Sequence, residues 1–476
     1  MGEEIRIPVD MQITFRGACR TVTGSSHEIQ FGGKRILLDC GFFQGRRAEA
    51  NEKNRWFAFP PAEVDAVVLS HAHIDHSGKL PKLVQKGFRG PIYTTAATVD
   101  LCKSMLADSA FIQEKDAEFL NRRTSRKRRL QPDCPDCEVE PIYTVADANA
   151  TFPLFRSMPM HESANVVGDI SYTAYEAGHM LGSSFVKVEA GATRLLFSGD
   201  IGRKNLPIIR DPEPPPAADF LIMESTYGDR LHQPIEHAKA KLAEIINRTA
   251  QRGGKIIAPA FAVGRTQQIV MMVNELILAQ QIPDIPVFVD SPLATNVTEI
   301  FRAHTECYDP ETAQFLAAHD DPFGFRRLRY IRDVEESKAL NSLRMPCMII
   351  SASGMAEAGR VVHHLANNVH DPRNTVLITG FQAANSLGRK LLEGQKEVNI
   401  FGEPFRVRAE IAKINELSGH ADQNELLAWM EPIAKGLKQV FLVHGEPTQQ
   451  EALAALIRSR YNLPVTIPES GDTFPC

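Results

Sequence analysis

An apolar run, Val64 to Leu69, passes through Ser70 directly into His71-Ala-His-Ile-Asp-His76. Val67, Val68 and Leu69 read as a buried strand, which Ser70 ends. A loop leaving a strand turns alternate side chains to different sides. His71 and His73 then face one position, while Asp75 and His76 serve a second position close by. That spacing suits two adjacent metal ions rather than one. Neutral imidazole combined with carboxylate favours zinc or a similar borderline ion. A bare HxH is commonly a chance or core pair, whereas few structural needs place HxHxDH behind a strand.

At 476 residues the chain exceeds one ordinary core, so two domains are expected. The formal net charge of −5 supplies no global field to attract nucleic acid, so any polyanion site must be local. The N-terminus MGEEIRIPVD is polar and lacks the apolar stretch of a secretory signal, and no window reaches membrane-spanning length. Arg6 stands where a myristoylation site needs Ser or Thr. The 8 cysteines are scattered apart from Cys134 and Cys137, which fits a reducing cytoplasm better than a disulfide framework.

Apolar strand-like runs alternate with amphipathic stretches, which predicts an α/β fold. Short β segments are expected at Gln12–Arg16, His27–Phe31 and Lys34–Leu38, and helices at Lys79–Lys86 and Leu101–Leu120. Further strands are expected around Ile170–Ala174, Phe185–Glu189 and Thr193–Phe197. Asp211-Pro-Glu-Pro-Pro-Pro216 reads as a linker, because proline at that density continues neither a helix nor an inner strand. Strand–helix alternation beyond it predicts a parallel-sheet domain to about residue 411, beginning with the strand Phe220–Met223.

Two adjacent metals need more ligands than one loop provides. Asp39, His179, Asp200 and His444 each follow a strand-like run, where an α/β sheet gathers its active site.

With these residues in place the sequence resembles the metallo-β-lactamase superfamily, and within it the β-CASP branch. Asp39, His71-Ala-His-Ile-Asp-His76, His179 and Asp200 match the four lactamase motifs in order. Glu224 in MESTYG, His420 in Ser418-Gly-His420 and His444 in VHGE match the three β-CASP marks. Gly264-Arg-Thr-Gln267, Asp290-Ser-Pro-Leu-Ala294 and Ser353-Gly-Met355 match the pattern of the insert. Two departures stand out: Asn385-Ser386 where relatives have Gly-Thr, and Ala358 in a glycine-rich turn.

The resemblance implies a four-layer αβ/βα sandwich, residues 1–210 plus 412–476, split by a β-CASP α/β insert at 211–411. It implies a nuclease, and the histidine at 444 leans it toward RNA, since DNA-processing members have valine there. One zinc is expected on His71, His73 and His179, and another on Asp75, His76 and His444, with Asp200 bridging and manganese as the alternative ion. A bridging hydroxide would be the nucleophile. Asp39 would orient a ligand histidine or the water. His420 would act as general acid, its tautomer fixed by Glu224, and Ser418 would donate to a phosphate oxygen.

Arg265, Arg360 and Arg389 sit at Gly-Arg steps suited to phosphate contact. Arg122–Arg129 is the one dense basic run, either a phosphate contact or a solvated surface. Cys134 and Cys137 cannot complete a tetrahedral zinc site without a second pair. The expected activity is therefore zinc-dependent hydrolysis of single-stranded RNA by a cytoplasmic protein, a homodimer being common in the family. The rivals are a small ester, thioester or phosphodiester hydrolase and a noncatalytic RNA-binding subunit.

Overall fold

The structure, a computed structural model, describes residues 11–45, 47–128, 139–319, 321–380, 382 and 386–476. Cys134, Cys137, Arg129 and Asn385 lie outside the described residues, as do the side chains of 123–128. The described chain forms two compact units. The first comprises the chain up to Gly202, Pro212–Leu231 and His420–Cys476, and the second Arg203–Asp211 and His232–Gly419.

The first unit contains two seven-stranded sheets. One is built from β1 (Gln12–Phe15), β2 (His27–Phe31), β3 (Lys34–Leu38), β4 (Ala66–Val68), β5 (Ile92–Thr94) and β6 (Phe155–Ser157). The other holds β7 (Ser163–Val167), β8 (Ile170–Glu176), β9 (Ser184–Ala190), β10 (Thr193–Phe197) and β11 (Phe220–Glu224). After the second unit the chain returns with β20 (Gln439–Val443) and β21 (Val465–Thr466) in the second sheet and β22 (Thr473–Pro475) in the first.

The strands alternate as period-2 patterning requires. Ile36, Leu38 and Val68 pack against Val186, Val188, Leu195 and Phe197 of the facing sheet. Leu196, Leu221 and Leu442 point the other way, onto Leu427, Met430, Leu453 and Ile457 of the helices Gln423–Met430 and Pro447–Tyr461. In the first sheet Leu37 and Val67 are fully buried as well, so both of its faces are covered.

In the second unit β12 (Lys255–Pro259), β13 (Val287–Val289), β14 (Leu328–Tyr330), β15 (Cys347–Ser351), β16 (Thr375–Ile378) and β19 (Glu410–Lys413) form the expected all-parallel sheet. The hairpin β17 (Glu397–Ile400) and β18 (Glu403–Arg406) stands beside it. Val361, Leu365 and Leu391 of flanking helices close one face over Ile257, Ile349 and Val376.

One expectation is corrected here. The strand at Phe220 opens no new domain: β11 lies parallel between β10 and β20, with Leu221 opposite both Leu196 and Val440. The proline-rich segment is a crossover within one sheet's connectivity, and composition alone does not separate a crossover from a domain linker. The helix foreseen at Leu101–Leu120 is also longer, running Ala96–Arg128.

Candidate metal centre

All the ligand candidates fall in the first unit, on segments that leave strand ends, and within each sheet those strands run the same way. Asp39 follows β3 and His71 follows β4, a parallel pair. His179 follows β8, Asp200 follows β10, Glu224 ends β11 and His444 follows β20. Parallel pairing of β10, β11 and β20 in register makes those carboxyl ends neighbours. The HxHxDH stretch divides as anticipated, by a different device. His73 is extended at φ −53°, ψ 144°, and caps a one-turn helix, Ile74–Ser77, that carries Asp75 and His76. Gly41 is required beside it, since a Cβ there would lie 1.6 Å from the Asp75 carbonyl oxygen.

The ring nitrogens converge. His73 Nδ1 lies 3.1 Å from both His71 Nε2 and His179 Nε2. His76 Nε2 lies 3.3 Å from His444 Nε2, which lies 3.4 Å from Asp75 Oδ2. Asp200 stands between the two groups, its Oδ2 3.3 Å from His76, 3.5 Å from His71 and 3.6 Å from His179. Such crowding of lone pairs is not a hydrogen-bonded arrangement: His73 Nδ1 can share at most one proton with its two nitrogen neighbours. Asp200 Oδ1, buried, has no hydrogen-bond partner. A cation coordinated by these atoms would answer both features, and the donor set is the one zinc prefers.

Electrostatics follow from burial and from neighbours. Burial, then the His76 charge, pushes His71 well below the ordinary imidazole range, and burial lowers His73 to about 4. Both rings therefore stay neutral, as ligands must be. Burial also opposes ionisation of Asp200, but the imidazoles of His444, His76 and His420 outweigh it and hold the carboxyl well below its usual range. Asp75 is lowered too, to about 2: burial opposes ionisation, but the neighbouring imidazoles of His444, His76 and His73 outweigh it.

Asp39 sits behind the cluster with φ +62°. Its Oδ2 accepts from His76 Nδ1 at 2.6 Å and from the hydroxyls of Ser25 and Ser70 at 3.0 Å, while Oδ1 accepts from the Ser70 amide at 2.8 Å. It is an orienting residue for His76 rather than a member of the converging set. His420 presents Nδ1 to Glu224 Oε2 at 3.1 Å, and Glu224 Oε1 also accepts from the Ile201 amide at 2.6 Å. Burial would lower His420, but the charges of Glu224 and Asp200 prevail and raise it to about 9. An antiparallel bridge between Gly202 and His420 fixes the segment. The atoms of Asp200, Glu224, His420 and His444 also lie close enough to form a cation set of their own.

The expected substrate residues fall in the second unit. Arg360 does not present its fork outward. Asp290 is fully buried and needs a cationic partner, and Arg360 Nη1 meets it at 2.6 Å while Nη2 donates to the Arg332 carbonyl at 2.6 Å. Arg265 is buried and donates to Gln268 at 2.9 Å. Ser418 is half-buried, and Arg389 pairs with Glu393 at 2.7 Å.

Sequence reading passed over three polar groups at the centre. Ser70 does more than end a strand: its hydroxyl lies 3.0 Å from His71 Nδ1. Thr226 lies 3.0 Å from His444 Nδ1, and its place two residues beyond Glu224 was the available signal. His27 is a fully buried histidine wedged between Phe15 and Phe197, and nothing in the sequence distinguishes it from a surface strand residue.

Residues 28–205 match the metallo-β-lactamase superfamily domain, 266–391 the Beta-Casp domain, and 404–468 the Zn-dependent metallo-hydrolase RNA specificity domain. A protein of Thermus thermophilus described as a ribonuclease is 35% identical over 98% of this chain and 100% of its own length. The chain belongs to the β-CASP branch of the metallo-β-lactamase superfamily. As a β-CASP protein it is a metallo-hydrolase by family. An RNase J-like protein of Methanocaldococcus jannaschii is 31% identical over 97% of this chain and 99% of its own length. The transcription termination factor FttA of Pyrococcus abyssi is 30% identical over 98% of this chain and 71% of its own length. A crystal structure from Enterococcus faecalis, of a protein whose function is not known, shares the fold with a TM-score of 0.52 at 14% identity, covering 98% of this chain and 100% of its own. No helix among the described residues is long and apolar enough to cross a membrane.

Proposed function

We propose that this β-CASP protein is a ribonuclease that holds two zinc ions and hydrolyses phosphodiester bonds of single-stranded RNA. The observation that carries the reading is the pair of ligand groups, His71/His73/His179 and Asp75/His76/His444, that share the Asp200 carboxylate beside a separate Glu224–His420 pair. Manganese in place of zinc would suit this imidazole-rich set less well. The lactamase-type portion is best bounded by the first compact unit and the β-CASP insert by His232–Gly419.

When bound, the two cations acidify water toward neutrality and offset the charge of the phosphoryl oxygens. Asp39 keeps the His76 ring aimed at the cluster by accepting from Nδ1. Glu224 accepts from His420 Nδ1, so Nε2 is the nitrogen that carries a transferable proton. As the P–O bond to the leaving oxygen breaks, that proton moves from Nε2 to the oxygen. The carboxylate then stabilises the neutral ring in the tautomer that can be reprotonated on Nε2.

The test is purified protein on a 5′-labelled RNA, the matching DNA and a chromogenic phosphodiester, each with chelator and with zinc restored. RNA should be cut, chelator should stop it and zinc should revive it. Cleavage of the chromogenic ester with intact RNA would overturn the proposal in favour of a small-substrate hydrolase. The end groups of the RNA products would give the mode and direction of cutting.

A further inference from the structure

We infer that Thr226 is a positioning residue that sets the tautomer of His444 and thereby tunes the second metal position, an inference that rests on the two-metal reading above. The argument is a proton count. Thr226 Oγ1 lies 3.1 Å from the His444 carbonyl oxygen and 3.0 Å from the Nδ1 of the same residue. A hydroxyl has one hydrogen, and a carbonyl only accepts. The Thr226 hydrogen is therefore directed at the carbonyl, and the oxygen lone pair faces Nδ1. That nitrogen must carry the ring proton, which leaves the Nε2 lone pair directed at His76 Nε2 and Asp75, 3.3 and 3.4 Å away. Asp200 Oδ1 also faces Nδ1, but at the longer distance of 3.5 Å.

The same logic recurs around the cluster. The Ser70 hydroxyl donates to Asp39 Oδ2 at 3.0 Å and so accepts from His71 Nδ1 at 3.0 Å. Asp39 does the same for His76. His71, His76 and His444 thus each have an acceptor on Nδ1.

Thr226 has a further task, because His444 is held at φ +50°, a region non-glycine residues seldom occupy. The hydroxyl bond to the His444 carbonyl, the Ser225 amide to the same carbonyl at 3.2 Å and the Ser225 hydroxyl to the Val443 carbonyl at 2.6 Å stitch the turn after β11 to the end of β20. Three consecutive residues therefore govern both histidines: Glu224 positions His420, and Thr226 positions His444.

The experiment is calorimetric titration of the metal-stripped full chain with zinc, for the natural protein, Thr226→Val and Thr226→Ser. The natural protein should show two sites. Thr226→Val, which keeps the shape and removes the acceptor, should weaken one site by about 10–100-fold and leave the other unchanged. Thr226→Ser should bind as the natural protein does. Equal binding by the valine variant would overturn the inference while leaving two metals in place. A serine variant as weak as valine would also overturn it, since packing of the methyl group would then be the cause. If Thr226→Val fails to fold, the serine variant and Thr226→Ala decide the same question. A natural protein that binds no zinc would overturn the two-metal reading and this inference with it.

Discussion

The buried carboxylate of Glu224 holds Nδ1 of His420 at 3.1 Å, across 196 residues of sequence. The pair stands beside the converging ligands, with the His420 ring 4.5 Å from that of His179. The carboxylate on Nδ1, rather than distance from the ligand groups, is what the proposed proton-donor role of His420 rests on.

His420→Ala should lower RNA cleavage by about 10²–10⁴-fold while zinc content stays at that of the natural protein. Elemental analysis of the same preparation used for the rate measurement checks this. Loss of one zinc per chain would reassign His420 to the ligand set that it can form with Asp200, Glu224 and His444.

Asp39 accepts four hydrogen bonds and touches none of the other convergent ligands except through His76. Asp39→Asn puts an amide where three donors point at one oxygen. Zinc affinity should fall by about 10–100-fold, and unfolding free energy by about 1–3 kcal/mol from the donors left unmatched. Competition with a chromogenic chelator and denaturant unfolding measure the two effects separately. Unchanged zinc affinity would deny Asp39 its orienting role.

Zinc should stabilise the first unit strongly, because it binds the folded arrangement of ligands drawn from four separate segments. At free zinc of 100 times the dissociation constant the gain is about 2.7 kcal/mol, or about 5–10 °C in melting temperature. Scanning calorimetry with and without chelator reads this, and His71→Ala should abolish much of the shift.

His27 supplies a pH dependence of known sign. Burial, then the charges of His76 and His444, lowers it from 6.5 to about 3, and neither ring nitrogen has a hydrogen-bond partner. The unfolded chain takes up a proton below pH 6.5 that the folded protein refuses until about pH 3. Its contribution is thus intact above pH 6.5 and is lost as pH falls through that window, at about 1.4 kcal/mol per pH unit. His27→Leu should lose less stability than the natural protein between pH 6 and pH 4, as chemical denaturation at a series of pH values would show; parallel losses would refute this role for His27.

Much of the architecture was legible because it is written in local pattern. β2, β3 and β10 fall where their apolar runs stand, and the parallel sheet of the second unit follows from strand–helix alternation. The misplacement of Phe220–Glu224 has a different origin. Whether a strand continues an old sheet or starts a new one depends on which edge accepts it, and pairing with β10 and β20 is a contact across sequence that periodicity does not encode. The ion pair of Arg360 was illegible for the same reason: its partner, Asp290, lies 70 residues away.

The sequence by itself determined the chemical inventory: which side chains are of a type that binds metal, and that Asp39, His71, His179, Asp200 and His444 come just after strands. Those are properties of residue type and near-neighbour spacing. Tertiary structure alone decided the division of labour. Imidazole 71 and imidazole 420 are alike as residues, but one faces three other rings with its Nδ1 tied to Ser70, and the other faces a buried carboxylate. Tautomer, protonation and role follow from those surroundings, which exist only once distant strand ends are brought side by side.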